Sequence, residues 1–304
     1  IRDDKGRKMS KTLGNVVDPQ EIQKASGTDA LRYALLAGAQ PGRDTYLTKD
    51  AFIGAKNFVT KIWNAGRFIQ MEWAKLGETD QQNMRPAILN FNNPSHPSDV
   101  WIMGEVNRVV EQSANQLQGL DPAGALRAIY DLFWGSFCDW YIEIVKLRLS
   151  GDHSKLSLAL AIGIYGDFLR LLQPFMPFVT HQIAQELGGV LGISQPLAKA
   201  GWPKPRAIDV GRARAAQVWW ESLASVVTEI RVMRSDLSIA PAQEILFQLE
   251  SSGQGHWPLE DIAIVEGLAK CRQARNGAAA GHGIRRVLGP GLDLVVFLNQ
   301  EWDS

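Results

Sequence analysis

Between Lys49 and Leu187 the apolar side chains recur every three or four residues, and that period restricts the chain to one broad kind of fold. Phe52, Ala55, Val59, Ile62, Trp63 and Ile69 form one stripe from Lys49 to about Leu76. A second, through Ile102, Val106, Val109 and Leu117, starts near Ser98 and stops at Gly119. Asp121-Pro122 opens a third, in which Leu126, Ile129, Phe133, Phe137, Trp140, Ile144 and Leu147 line one face until Gly151. A fourth spans Ser154 to Leu172, and after Pro174 and Pro177 a fifth runs from about Val179 to Leu187. Helices with one apolar face each must bury those faces on one another, so the expected fold is mainly α, an antiparallel helix bundle over 49–188. The polar stretch 77–99, holding Asn90, Asn92, Asn93, Pro94 and Pro97, reads as a surface connection.

After the bundle the pattern changes. Residues 188–210 are rich in Gly, Pro and Ala, which suggests a boundary, and Arg212 to Arg234 carries another helical stripe. Ile245–Leu249 and Leu292–Leu298 read as strands flanking a helix near Leu259 to Ala269, with a flexible loop at 276–283. The chain is therefore divided into 1–48, the bundle at 49–188, and a linker, long helix and small α+β subdomain at 189–304.

Ahead of the bundle stands Arg7-Lys8-Met9-Ser10-Lys11-Thr12-Leu13-Gly14-Asn15. Two lysines three apart, hydroxyls at Ser10 and Thr12, and a following glycine suit a loop that grips a polyphosphate while charge builds up in a transfer reaction. Spacing alone favours the plainer reading, a solvated basic turn. Asp18, Pro19 and Glu21 mark a helix start that would hold the loop's far end, whereas the near end is expected to be free. The GxxxxGK[ST] order of a P-loop is absent.

Lys8-Met9-Ser10-Lys11-Thr12, then Gly14-Asn15-Val16 and Asp18-Pro19, resembles the KMSKS signature of class I aminoacyl-tRNA synthetases. Gly27-Thr28-Asp29-Ala30-Leu31-Arg32 is similar to that family's G-A-D-A-L-R helix. Gly42-Arg43-Asp44, the run Asn57-Phe58 to Arg67-Phe68 through Lys61-Ile62-Trp63-Asn64-Ala65, Phe137-Cys138-Asp139-Trp140-Tyr141 and Pro174-Phe175-Met176-Pro177-Phe178 extend the likeness to its valyl branch. Thr12 departs from the last serine of the signature but keeps a hydroxyl.

The resemblance implies that 1–48 is a lysine loop and stem-contact segment, and that the bundle is the anticodon-binding type of class I synthetase. It implies a ligase that uses ATP, with Mg2+, to activate valine and passes it to tRNA(Val). Lys11 and Lys8 would be the catalytic cations, and Lys8, Ser10, Lys11 and Thr12 the ATP-binding residues. Arg67, Phe68 and Glu143 would meet the anticodon, Phe68 as a stacking surface, Arg67 on the backbone and Glu143 accepting from a base amino group; each is equally readable as an ordinary bundle residue. Arg32 can be a tRNA backbone contact or a solvated helix residue. In this family the HIGH-bearing domain precedes the signature. With Ile1 only seven residues ahead of Lys8, the chain is expected to be the C-terminal part of a longer enzyme, inactive alone and binding no cofactor by itself. The alternatives are a stand-alone tRNA-binding module and an isoleucyl-type fragment.

Thirty-two basic and 32 acidic residues leave no net charge, so nucleic-acid contacts must come from local patches. Cys138 and Cys271 are too few for a disulfide framework, and no apolar run reaches membrane-spanning length, which fits a cytoplasmic protein without a membrane partner; a monomer is expected, though nothing in these features fixes it. His96, His153, His181, His256 and His282 lack metal-ligand spacing, so no metal site is expected.

Overall fold

The computed structural model describes residues 1–3, 5–39, 42–89, 91, 94, 96–149, 154–193, 195–240, 243, 245–251, 257–274, 283–289 and 292–297. These form two compact units, one of residues 1–145 and 151–209, the other of 146–150 and 210–304.

The first unit is helical. Asp18 accepts from the Gln20 N–H at 2.8 Å and starts α1 (Pro19–Ser26), and α2 (Thr28–Ala37) follows directly after Gly27. Thr48 caps α3 (Lys49–Ala74), a helix of 26 residues. The stretch expected to be a surface connection contains a further helix, α4 (Glu78–Leu89). Its composition is polar and Pro86 lies inside it, but Met84 and Ile88, one turn apart, are buried and supply the packing that propensity does not. α5 (Pro97–Gln118) is capped by His96, whose Nδ1 accepts from the Ser98 N–H at 3.1 Å; that contact assigns the buried histidine a structural task.

The third stripe begins as α6 (Pro122–Asp131), capped by Asp121, and ends as α7 (Ile142–Arg148). Between them Leu132–Tyr141 is a π-helix, in which the Ile142 N–H bonds to the Phe137 carbonyl. Phe133, Phe137 and Tyr141 on this segment are fully buried. They pack against α8 (Ser154–Leu172), where Phe133 meets Phe168 edge-on at 4.9 Å between centroids and Tyr141 Oη donates to the Ser157 carbonyl. Since 133 pairs with 165 and 168 while 141 pairs with 157, the two segments run antiparallel. α9 (Pro177–Leu191) completes the bundle.

One contact sets the distance between α3 and α8. Tyr165 Oη, fully buried, donates to the Ile62 carbonyl at 2.8 Å and accepts from the backbone N–H of Gly66, so a side chain serves two main-chain groups four residues apart on α3. A Cβ at Gly66 would lie 2.6 Å from that oxygen, which accounts for glycine within a long helix. Farther on, the chain lies along the bundle: Trp202 Nε1 donates to the Val110 carbonyl, Asn107 and Arg206 exchange two 2.7 Å hydrogen bonds, and Arg206 meets Asp167 at 2.5 Å.

The second unit holds α10 (Val210–Asp236), β1 (Ile245–Ser251), α11 (Leu259–Ala269), β2 (Cys271–Gln273), β3 (Gly283–Gly289) and β4 (Leu292–Phe297). The sheet order is β2-β1-β4-β3, with β1 parallel to β2 and the other neighbours antiparallel. Two of these strands were not anticipated. β2 is three residues long, and β3 is an edge strand whose central Arg285 and Arg286 break the apolar alternation while pairing with Asp293, Glu250 and Glu229. The loop expected at 276–283 lies outside the described residues except for Gly283, which belongs to β3, and Leu298, at the end of the last expected strand, also lies outside them.

Candidate functional site

The lysine loop is built from short-range polar contacts. Ser10 Oγ accepts from the Leu13 N–H and caps a single 3-10 turn, Lys11–Leu13, which Gly14 closes in the left-handed region at φ 60°. Lys8, Lys11 and Thr12 are exposed, and Ser10 is half-buried because its backbone is held from behind.

The holding residues are Asp3, which carries no sequence signal, and Asn15, which the motif contains without any sign of this task. The Asp3 carboxylate accepts from the backbone N–H groups of Lys5 and Arg7 at 3.1 and 2.8 Å, from Arg7 Nε at 2.9 Å and from Asn15 Nδ2 at 3.0 Å. Asn15 in turn accepts from the Ser10 N–H at 2.9 Å and donates to the Lys8 carbonyl at 3.3 Å. With Asn15 as the largest influence and Arg7 assisting, these bonds hold the Asp3 carboxyl well below the ordinary carboxylate range, against the opposing effect of its burial. The near end of the loop is therefore anchored, contrary to the expectation from sequence. Arg2 adds a β-bridge to Lys8, another to Tyr46, and an ion pair to Asp44 at 2.6 Å. Met9 and Val17 pack on the cluster of Ala30, Ala34, Leu47, Phe52 and Ala55, which seats the loop beside the start of α3.

The helix after the loop also has a defined task. Asp29 accepts from the Phe178 and Val179 N–H groups at 3.3 and 2.6 Å, and so caps α9, whose own N-cap residue Met176 makes no side-chain bond. Arg32, one turn on, donates to the Phe175 and Pro174 carbonyls at 3.1 and 3.0 Å. The i, i+3 pair thus clamps 174–179 from both sides, and the half-buried Arg32 makes a contact within the bundle that neither sequence expectation contained. Burial raises the Asp29 carboxyl, and the two N–H donors offset part of that.

A second pair joins α3 to the π-helix. Lys61 Nζ lies 2.7 Å from Asp139 Oδ1 and 5.0 Å from the ring centroid of Trp134. Phe58, one turn earlier on α3, meets Tyr130 and Phe133, so α3 and the π-helix run in the same direction. Phe68 is seven residues beyond Lys61, about 10 Å farther along the same face of α3, and Glu143 is one turn beyond Asp139, roughly 6 Å on. Arg67, Phe68 and Glu143 consequently come toward one end of the bundle, with Arg67 exposed and the other two half-buried. Twenty residues of α3 separate Phe68 from Thr48, about 30 Å of helix. The lysine loop lies near the Thr48 end, so the two sets of expected site residues are not brought together, and one ligand touching both must be extended.

Among the described residues no group of three or more His, Cys, Asp or Glu is arranged to hold a metal ion. No described helix is long and apolar enough to cross a membrane.

Comparison with known proteins assigns both regions. Residues 99–249 match the anticodon-binding domain of tRNA ligase, and residues 1–48 match the class I tRNA synthetases of the I, L, M and V group. The valine–tRNA ligase of Mycobacterium tuberculosis is 35% identical over 245 residues, 81% of this chain and 26% of that protein. That of Dehalococcoides mccartyi is 33% identical over 305 residues, 97% of this chain and 33% of its own length. The Thermotoga maritima enzyme is 36% identical over 247 residues, covering 81% of this chain and 26% of that protein. The chain spans about a third or less of the length of these curated relatives. With the anticodon-binding domain of a tRNA ligase preceded by a synthetase segment that carries the lysine loop, it belongs to the class I aminoacyl-tRNA synthetases.

Proposed function

We propose that this chain is the C-terminal, tRNA-binding and lysine-loop part of a valine–tRNA ligase. The observation that carries the reading is the match of 99–249 to the anticodon-binding domain within a chain similar to valine–tRNA ligases over most of its length. In the whole enzyme a valine carboxylate oxygen attacks the α-phosphorus of ATP, the bond to pyrophosphate breaks, and a hydroxyl of the terminal ribose of tRNA(Val) then takes the adenylate's valyl group as AMP leaves. Residues 1–48 serve as loop and stem-contact segment, 49–188 as the anticodon-binding bundle, and 189–304 as linker, long helix and C-terminal subdomain. ATP enters as its Mg2+ complex. The whole protein works as a monomer in the cytoplasm, where its tRNA is, and this part alone is inactive.

The exposed ammonium groups of Lys11 and Lys8 meet the negative charge that develops on the phosphates, with Lys11 the principal contact, and the Ser10 and Thr12 hydroxyls assist. At the far end of α3, Phe68 offers a ring to an unstacked base, Glu143 accepts from a base amino group, and Arg67 takes a backbone phosphate. Removing a preorganised donor of this kind costs about a hundredfold or more in kcat. Lys11→Ala in the full-length enzyme is therefore expected to slow valine-dependent pyrophosphate exchange by that factor and to leave the KM for valine within about threefold. Unchanged exchange would overturn the assignment.

A further inference from the structure

The two cations of the lysine loop act together only if the main chain between residues 8 and 11 keeps one shape, and the structure shows what sets it. Asn15 grips the peptide on both sides of Met9, through the Lys8 carbonyl at 3.3 Å and the Ser10 N–H at 2.9 Å. Its amide is oriented by Asp3, which receives the same Nδ2 at 3.0 Å. Asp3 also fixes Arg7, the residue before the first lysine, through its backbone N–H and its guanidinium. The result is a closed ring of side-chain bonds, 3 to 7, 3 to 15, 15 to 8 and 15 to 10, behind a loop whose lysines face solvent. A carboxylate that accepts this many bonds cannot rearrange without leaving several donors unpaired. Gly14 supplies the left-handed turn that brings Asn15 back beneath the loop.

We propose that Asp3 and Asn15 are positioning residues for adenylate formation: by tying residues 7, 8 and 10 together they fix the loop so that the Lys8 and Lys11 ammonium groups converge on one polyphosphate. The proposal rests on the reading of the loop as an ATP-handling element. Neither residue touches ATP in it. They act through the backbone that carries the lysines, and therefore on the rate of the chemical step more than on the binding of valine.

The deciding experiment is Asn15→Asp in the full-length enzyme. The introduced carboxyl faces Asp3 and, when ionised, repels it and loses both the donation to Asp3 and that to the Lys8 carbonyl. Protonated, it can donate to Asp3 and accept from Ser10, restoring two of the native amide's three bonds. Two carboxyls so close share a proton, so the introduced group titrates above the ordinary carboxylate range. Valine-dependent pyrophosphate exchange should fall about tenfold or more at pH 8, recover toward the wild-type rate as the pH is lowered toward 6, and keep the KM for valine within about twofold. A merely structural role predicts instead a loss that does not depend on pH or that appears equally in KM and kcat. Asp3→Asn, which keeps the shape and removes the charge, should show the same drop in kcat without recovery at low pH. In the chain described here, amide exchange at Ser10 should quicken at least tenfold in both variants with the melting temperature of the bundle unchanged. If Lys11→Ala is slow while Asn15→Asp and Asp3→Asn match the wild type, the positioning proposal fails and the loop assignment stands. If Lys11→Ala is itself unimpaired, the loop assignment has failed.

Discussion

Replacing Asp29 tests whether the turn of helix after the lysine loop works as a clamp on the bundle or as a nucleic-acid contact. In Asp29→Ala the N–H groups of Phe178 and Val179 lose their acceptor at the first turn of α9, where Pro177 has no N–H and Met176 gives no side-chain cap. Loss of an N-terminal cap costs about 1 kcal/mol and up to about 2. The 2.6 Å bond to Val179 places this one toward the upper figure. Against that stands partial relief from burying the carboxylate, the same burial that raises its pKa. A net loss of about 1 kcal/mol remains, which for a unit of this size lowers the melting temperature by roughly 2–4 °C. Asp29→Asn, keeping one acceptor and no charge, should lose less than half as much. Arg32→Ala releases the Pro174 and Phe175 carbonyls from the same segment, so the double variant should cost less than the sum of the two single ones. The pH dependence has a definite sign. Because the folded-state pKa lies above the unfolded one, the contribution of Asp29 is most favourable below about 3.8 and declines as pH rises through the raised value, while Asp29→Asn has no such slope. The stability of the wild type relative to Asp29→Asn should therefore fall over that window. Thermal and urea unfolding followed by circular dichroism reads all of this. A melting temperature for Asp29→Ala within 1 °C of the wild type would refute the clamp.

Gly66→Ala puts a methyl group 2.6 Å from the buried Tyr165 oxygen, and overpacking of about 1–3 kcal/mol should outweigh the helix propensity gained. Adding Tyr165→Phe should restore part of the loss, and equal melting temperatures for wild type and Gly66→Ala would show that the close approach does not exist. Asp3, with its lowered pKa, behaves in the opposite sense to Asp29: its bonds persist above the ordinary carboxylate value and are lost as pH falls through the lowered one. The Ser10 and Leu13 amide shifts should thus hold steady down to about pH 4 and move only below it; movement centred between pH 5 and 6 would contradict the ring of bonds around Asp3.

What could be read from the sequence follows from what packing requires. The stripes over α3, α5, α8 and α9 are legible because each helix buries one face, and spacing records that directly. α4 was missed because only Met84 and Ile88 face inward and Pro86 reads as a breaker. The π-helix leaves no mark, since Phe133, Phe137 and Tyr141 have spacing an α-helix would also give. Lys8, Ser10, Lys11 and Thr12 stand out in the sequence because cationic and hydroxyl side chains are adjacent in a resembling motif. Their supports were not: Asp3 to Asn15, Asp29 to Val179 and Lys61 to Asp139 pair residues 12, 150 and 78 positions apart, and a pairing over such distances appears only when the chain is folded. The likeness of Gly27–Arg32 and Pro174–Phe178 to family motifs was visible residue by residue. That the two segments hold each other through Asp29 and Arg32 was not.

The central claim, that this bundle reads a valine anticodon, is tested most directly by the affinity of the chain for the anticodon arm of tRNA(Val) against the same arm with its anticodon bases exchanged, at one fixed salt concentration. A base-edge contact at Glu143 predicts a preference for the native anticodon worth about 1–3 kcal/mol, roughly five- to 150-fold in Kd, that Phe68→Ala and Glu143→Gln together abolish, while stacking on Phe68 predicts that Phe68→Ala alone weakens both arms. Equal affinity for the two arms, or a preference that survives Phe68→Ala and Glu143→Gln together, would contradict it.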